Sequence, residues 1–148
     1  MITVLLVDDH AYIRKGLRSL LAATEDIEVI ATAANGVDAI MKARSQRPDI
    51  VIMDLSMPFI DGVEAIKQIR MDCPGARILT LSLHDNPEYV KRSLEAGTHG
   101  YILKENVASE LLDAIRSLYG GNRYFSKKIA PMVEPPNFEE DGNDSWAA

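Results

Sequence analysis

The stretch Ile50-Val51-Ile52-Met53-Asp54 decides the fold, because an unbroken apolar run leads directly into a carboxylate. Continuous rather than alternating apolar residues are typical of a strand that is covered on both faces. Similar short runs occupy residues 4–7, 29–31, 78–81 and 101–103. The sequence therefore predicts five short, buried strands.

Segments with helical spacing separate these runs, and one more follows the last run at residues 107–118. Turn signals such as Asn35-Gly36 and Asn86-Pro87 fall between the periodic segments. Strands that alternate with helices favour a parallel sheet, because each right-handed crossover needs a helix. We therefore expect an α/β fold: a doubly wound, five-stranded parallel sheet with helices on both faces.

The length of 148 residues suits one domain with a short tail. We place the folded domain at residues 1–121. Residues 122–148 are expected to be an acidic, disordered C-terminal extension that contains no DNA-binding domain. The formal net charge is −6, and residues 134–148 carry −5 of it, so residues 1–133 carry only −1.

A nearly neutral body with an acidic end offers no basic surface for a phosphate backbone or an anionic membrane. We therefore expect no direct DNA binding by this chain and no membrane association. The N-terminus lacks the pattern of a signal peptide, and Cys73 is the only cysteine. Both observations favour a cytoplasmic location.

Polar side chains stand where the predicted strands end. Asp8-Asp9 follow the first run, Asp54 the third, Ser82 the fourth and Lys104 the fifth. In an open α/β sheet, sites form at the carboxyl ends of the strands, so these groups should meet at one edge. Taken singly, each has an ordinary explanation: an aspartate can cap a helix, a serine can form a turn, and a lysine can be solvated.

The joint placement indicates phosphoryl transfer. Clustered carboxylates repel one another and raise their own pKa values unless a cation is present. A hard cation such as Mg²⁺ binds one or two carboxylates together with phosphate oxygens. The set then supplies a nucleophilic carboxylate, a metal site and two donors for the transferred group.

These residues also carry a family resemblance. The set Asp8-Asp9, Asp54-Leu55-Ser56-Met57-Pro58, Leu81-Ser82 and Gly100-Tyr101-Ile102-Leu103-Lys104 resembles the receiver domain of two-component response regulators. Residues 79–85 and 120–126 are similar to the NarL/FixJ class. The resemblance implies a flavodoxin-like (CheY-like) sheet with strand order 2-1-3-4-5.

The resemblance also implies a role for each matching residue. Asp54 would be the phosphoacceptor, and Mg²⁺ or Mn²⁺ would be held by Asp8, Asp9, Asp54 and the backbone carbonyl of Ser56. Ser82 and Lys104 would each bind a phosphoryl oxygen, and Tyr101 would be the switch aromatic that turns inward. No role in the site follows for His10 or His99, which we interpret as structural.

The function predicted is phosphorelay signalling: a histidine kinase or phosphotransfer protein phosphorylates Asp54, and the chain does not act as a turnover enzyme. We also expect a homodimer favoured by phosphorylation. Its contact would be the face of the fourth helix, fifth strand and fifth helix. The charged residues expected there are Lys91, Arg92, Glu95, Glu110, Asp113 and Arg116.

Several alternatives stay open. The chain could be the N-terminal part of a NarL/FixJ-type DNA-binding transcriptional regulator, or an inert receiver used only for protein contacts. An aspartyl-phosphate phosphatase is less favoured, because such enzymes carry Asp-x-Asp where this chain has Asp54-Leu55-Ser56. A nucleotide- or flavin-binding module is disfavoured, because the turn at residues 8–11 lacks glycine and is acidic.

Overall fold

The computed structural model describes residues 1–55 and 59–133, with the backbone alone for residues 59–61. Its strands form one parallel sheet in the order β2-β1-β3-β4-β5-β6. The strands are β1 (Ile2–Val7), β2 (Ile27–Ala33), β3 (Ile50–Asp54), β4 (Arg77–Ser82), β5 (Gly100–Leu103) and β6 (Tyr124–Phe125). The helices are α1 (Ala11–Ala22), α2 (Gly36–Gln46), α3 (Phe59–Asp72), α4 (Pro87–Ala96), α5 (Val107–Tyr119) and α6 (Ala130–Val133).

The predicted α/β fold and the strand order 2-1-3-4-5 are confirmed, and a sixth strand corrects the expected count of five. This strand has only two residues and pairs with β5, with Gly100 opposite Tyr124. So short a strand leaves no hydrophobic run in the sequence. The boundary at residue 121 stays a prediction, but residues 124–133, which were expected to be disordered, form β6 and α6.

Helices cover both faces of the sheet, which explains the unbroken apolar runs. Side chains of α1 and α5, such as Leu21 and Ile115, pack against Leu6 on one face. Side chains of α2 and α3, such as Ile66, pack against Val51 on the other face. Every residue of β3 is buried, including the terminal aspartate. Burial on both faces stabilises the sheet by roughly 25 cal/mol per Å² of apolar surface removed from water.

Two asparagines that mark segment boundaries in the sequence are helix N-caps in the structure. The Asn35 side chain accepts a hydrogen bond from the backbone N–H of Asp38, 2.8 Å away, at the start of α2. The Asn86 side chain accepts from the N–H of Glu88 at 2.7 Å, with Pro87 at the first helical position of α4. Each cap supplies a partner for an amide that the first helical turn leaves unpaired.

The helices of the described part of the chain are short, and the longest in it, α3, has 14 residues. None of the helices in residues 1–55 and 59–133 is long and apolar enough to cross a membrane.

Candidate functional site

Two buried carboxylates meet at the carboxyl ends of neighbouring strands. Asp8 directly follows β1 and Asp54 ends β3, and these strands pair with Val7 opposite Met53. Neither aspartate has any solvent exposure, and the Asp8 carboxylate is close enough to Asp54 to raise the pKa of that residue. The strand order thus brings Asp8 and Asp54 together, as predicted from their positions at the ends of the strands.

A lysine from the end of β5 completes the buried group. The Lys104 ammonium Nζ lies 2.7 Å from Oδ1 of Asp54, and the lysine side chain is only 18% exposed. The pKa of Asp54 is raised to about 7: burial is the largest cause, the adjacent Asp8 carboxylate adds to it, and Lys104 opposes both effects. One ammonium therefore does not compensate for two buried carboxyl groups, and the ionised pair needs additional positive charge.

Asp9 and His10 line the solvent side of this group. The Nδ1 atom of His10 lies 3.0 Å from Oδ1 of Asp9 and 3.4 Å from Oδ1 of Asp8. The sequence assigned no role to His10, although its position directly after two aspartates was the available signal. His99 lies away from the site, near the amino-terminal ends of β4 and β5, where its Nδ1 accepts a hydrogen bond from the backbone N–H of Ile78 at 3.0 Å.

The helix-capping explanation of Asp8 and Asp9 does not describe this turn. The N-cap of α1 is His10, which makes no side-chain cap bond. The Asp8 carboxylate instead accepts the backbone N–H of His10 at 2.8 Å, which holds Asp8 at the edge of the sheet.

The donor set fits a hard divalent cation. Ligand atoms of Asp8, Asp9 and His10 lie within 4.8 Å of one another, and Asp54 contacts Asp8. Carboxylate oxygens are the ligands that Mg²⁺ prefers, and a cation there would stabilise the ionised form of both buried acids. The structure thus shows an acidic pocket of the kind the sequence predicts. The predicted ligand Ser56 lies outside the described residues.

A hydrogen-bonded chain leads from Ser82 to Tyr101. Both side chains are fully buried. The backbone N–H of His84 donates to Ser82 Oγ at 2.9 Å, and the Tyr101 hydroxyl donates to the carbonyl of His84 at 2.8 Å. Burial raises the pKa of the Tyr101 hydroxyl, which therefore stays protonated as a donor. The structure places Tyr101 in an inward position; its role as a switch stays a prediction.

The fold and this acidic strand-end site define a class of protein. Residues 4–116 match the family described as the response regulator receiver domain. The chain belongs to this family, and the predicted resemblance is confirmed. It is a receiver domain of the two-component type.

Its relatives are response regulators of the NarL/LuxR type. The chain is 42% identical over 128 residues to the response regulator protein VraR of Staphylococcus epidermidis, covering 86% of this chain and 61% of VraR. A LuxR-family two-component response regulator from Aurantimonas sp. SI85-9A1 is 37% identical with a TM-score of 0.83, covering 88% of this chain and 94% of that one. RcsB, solved as two dimers bound to two parallel DNAs, is 25% identical with a TM-score of 0.80, covering 94% and 73%.

Proposed function

We propose that this chain is a signalling switch in which Asp54 accepts a phosphoryl group from a phosphohistidine of a sensor kinase or phosphotransfer protein. The observation that carries the proposal is the buried Asp54 carboxylate, held between the Asp8 carboxylate and the Lys104 ammonium at 2.7 Å. A carboxylate in this setting is a nucleophile beside a ready donor for the transferred group. We place the transfer in the cytoplasm.

The transfer needs Asp54 in its ionised form. A carboxylate oxygen attacks the phosphorus, the phosphorus–nitrogen bond of the donor breaks, and the imidazole nitrogen keeps the bonding pair and takes up a proton. The product is an acyl phosphate on Asp54. Lys104 donates to a phosphoryl oxygen during the transfer, and Ser82 donates to another once its hydroxyl leaves the His84 amide.

Asp8, Asp9, Asp54 and the backbone carbonyl of Ser56 would hold Mg²⁺ or Mn²⁺. When bound, the metal supplies positive charge for the phosphoryl oxygens and lowers the pKa of Asp54. Asp9 suits the exposed side of the site, since its side chain is 36% exposed whereas Asp8 is buried. The contact of Asp8 with both Asp54 and the His10 amide suits a supporting role.

Treatment with acetyl phosphate and Mg²⁺ should add one phosphoryl group to the wild-type chain and none to Asp54→Asn. Intact-mass spectrometry measures this directly. Asp9→Ala should remove both the reaction and its Mg²⁺ dependence, whereas the exposed Glu25→Gln should behave like wild type. Equal labelling of wild type and Asp54→Asn would place the phosphoacceptor elsewhere.

We propose that the phosphorylated chain acts through protein contacts and does not turn over substrate. Where the phosphatase alternative requires an aspartate two positions after the nucleophile, this chain has Ser56. The first-named relative, VraR, is longer, and this chain spans 61% of its length.

The partner proposed for the phosphorylated form is a second copy of this chain, as RcsB was solved in dimers. In the structure, some of the charged residues expected on the face of α4, β5 and α5 are already paired within the chain. Arg116 makes two hydrogen bonds of 2.9 Å to Asp26, and Glu110 accepts a hydrogen bond from Ser126 at 2.6 Å. Two of the six charged groups expected at the dimer contact therefore already have partners within the chain.

Direct DNA binding is not expected of this chain, because residues 1–133 carry a net charge of only −1 and the remainder is acidic. Gel-shift titration against random and promoter duplexes at low salt should show no retained complex, with or without phosphorylation. Retention of one duplex in preference to others would instead support the alternative of a DNA-binding regulator.

A further inference from the structure

The face proposed for the dimer is already partly covered by this chain's own residues 124–133, which we call the C-terminal strap. Its strand β6 lies along β5, and the backbone N–H of Ser126 donates to the carbonyl of Tyr101 at 3.1 Å. Ile129 and Val133 continue the contact by joining Val90 of α4 in a small apolar cluster. Ile129 has no solvent exposure at all.

Gly100 lets the strap approach β5 closely. A Cβ atom at this position would lie 2.8 Å from the backbone carbonyl oxygen of Tyr124 and 2.9 Å from the side chain of Leu79. Distances below 3.0 Å are essentially never seen for a real Cβ. The pairing of β6 with β5 therefore depends on a glycine at this position.

The strap is fastened beside the phosphorylation site. Ser126 Oγ accepts the backbone N–H of Leu103 at 3.1 Å and donates to Oε1 of Glu110 on α5 at 2.6 Å. Leu103 directly precedes Lys104, whose ammonium is 2.7 Å from Asp54. The residue that anchors the strap and the residue that binds the acceptor carboxylate are thus consecutive in the chain.

The strap and a second copy of the chain would compete for one surface. The outer edge of β5 is paired with β6, and Tyr101 and Leu103 lie beneath Ile129 and Val133 in the same cluster. A partner that packs on α4, β5 and α5 cannot reach this strand while the strap is in place. The strap also joins only a peripheral cluster, which is typical of a segment that opens locally.

We propose that the C-terminal strap is an intramolecular competitor of the homodimer, and that a phosphoryl group on Asp54 weakens its attachment. This inference rests on the proposed function of Asp54. In this proposal the ammonium of Lys104 leaves the Asp54 oxygen for a phosphoryl oxygen further out, and the backbone at the end of β5 moves with it. The bond from Leu103 to Ser126 is then strained, and its loss frees Ile129 from the α4 face.

Coupling of this kind is reciprocal, because any state that disfavours the strap must also favour the phosphorylated form. The strap can therefore be tested from both ends. Phosphorylation should loosen it, and loosening it by substitution should promote self-association without phosphorylation.

The first test is hydrogen–deuterium exchange of the full chain with Mg²⁺, with and without beryllofluoride, a mimic of the phosphoryl group. Peptides covering residues 124–133 should exchange on the order of tenfold faster with beryllofluoride. Fluorine NMR of the same samples reports whether beryllofluoride is bound, with Asp54→Asn as the negative control. Bound beryllofluoride with unchanged or slower exchange of the strap would overturn the inference.

The second test needs no phosphoryl mimic. Ile129→Ala removes a buried contact of the strap, and Met132→Ala, at a side chain that is 41% exposed, is its matched control. In sedimentation velocity, Ile129→Ala should raise the association constant on the order of tenfold, and Met132→Ala should match wild type. If hydrogen–deuterium exchange shows that the strap is released in Ile129→Ala but the variant does not self-associate more strongly, the proposed competition between strap and dimer is wrong.

The two tests distinguish a failure of this inference from a failure of the proposed function. If fluorine NMR finds no beryllofluoride on the wild-type chain, the assignment of Asp54 fails and so does its link to the strap. The association of Ile129→Ala still decides whether the strap competes with the dimer.

Discussion

Replacement of Asp54 by asparagine should stabilise the metal-free protein at pH 8, by up to about 4 kcal/mol, given about 1.4 kcal/mol for each unit of pKa shift. The reason is that burial and the contact with Asp8 raise the pKa of Asp54 to about 7 from its usual 3.8, despite Lys104. At pH 8 the folded wild-type chain holds an ionised carboxylate that its surroundings disfavour. Asparagine keeps a similar shape without this charge.

The pH dependence gives the sharper measurement. With a raised pKa in the folded state, Asp54 contributes stability that is fully present below pH 3.8 and is lost as the pH rises through about 7. Urea unfolding in EDTA should therefore show a gap between Asp54→Asn and wild type that widens from pH 5 to pH 8. A gap that is constant with pH would contradict the predicted cause.

Two controls isolate Asp54 in this experiment. Burial lowers the pKa of His99 to about 4, which makes stability rise between about pH 4 and 6.5, the opposite trend. Because wild type and variant both contain His99, its contribution cancels in their difference. The exposed Glu25→Gln should change stability by less than about 0.5 kcal/mol at any pH. Added Mg²⁺ should stabilise wild type more than Asp54→Asn.

Replacement of Lys104 by alanine should slow phosphorylation of Asp54 by about 100-fold or more, the usual effect of removing one donor that acts on developing charge. The Lys104 ammonium lies 2.7 Å from Asp54, and its side chain is only 18% exposed. Water that enters the space left by the alanine variant therefore does not replace the lost positive charge. The measurement is the rate of acyl phosphate formation with acetyl phosphate at saturating Mg²⁺, followed by intact mass.

Lysine removal should also move the pH–rate profile to higher pH, because Lys104 is the group that lowers the pKa of Asp54. Lys104→Arg should restore only part of the rate, since a planar guanidinium does not occupy the position of a compact ammonium. Lys67→Ala, at an exposed lysine of α3, is the matched control and should react like wild type. A rate for Lys104→Ala within about threefold of wild type would mean that the ammonium acts only on folding.

The sheet and the acidic site could be predicted because both follow from local patterns and one topological rule. Unbroken apolar runs identify strands buried on both faces, and parallel strands bring Asp8, Asp54 and Lys104 to one edge. Asp54 and Lys104 are 50 residues apart in the sequence, yet the rule alone predicts their proximity.

Other features could not be predicted because they depend on contacts between distant segments that no periodicity marks. The strand β6 forms only because Gly100 leaves room for the carbonyl of Tyr124. The pairing of Arg116 with Asp26 joins α5 to the segment before β2 across 90 positions of sequence. Each of these contacts changes what the face of α4, β5 and α5 offers to a partner.

His84 connects Ser82 with Tyr101 through its main-chain atoms and not through its imidazole. Its N–H serves Ser82 and its carbonyl serves Tyr101, while the imidazole packs beside the Tyr89 ring with centroids 4.3 Å apart. Any residue with an N–H can therefore stand at this position without cutting the connection, and only proline removes the donor. The side chain at position 84 can therefore be exchanged without removing either of these two hydrogen bonds.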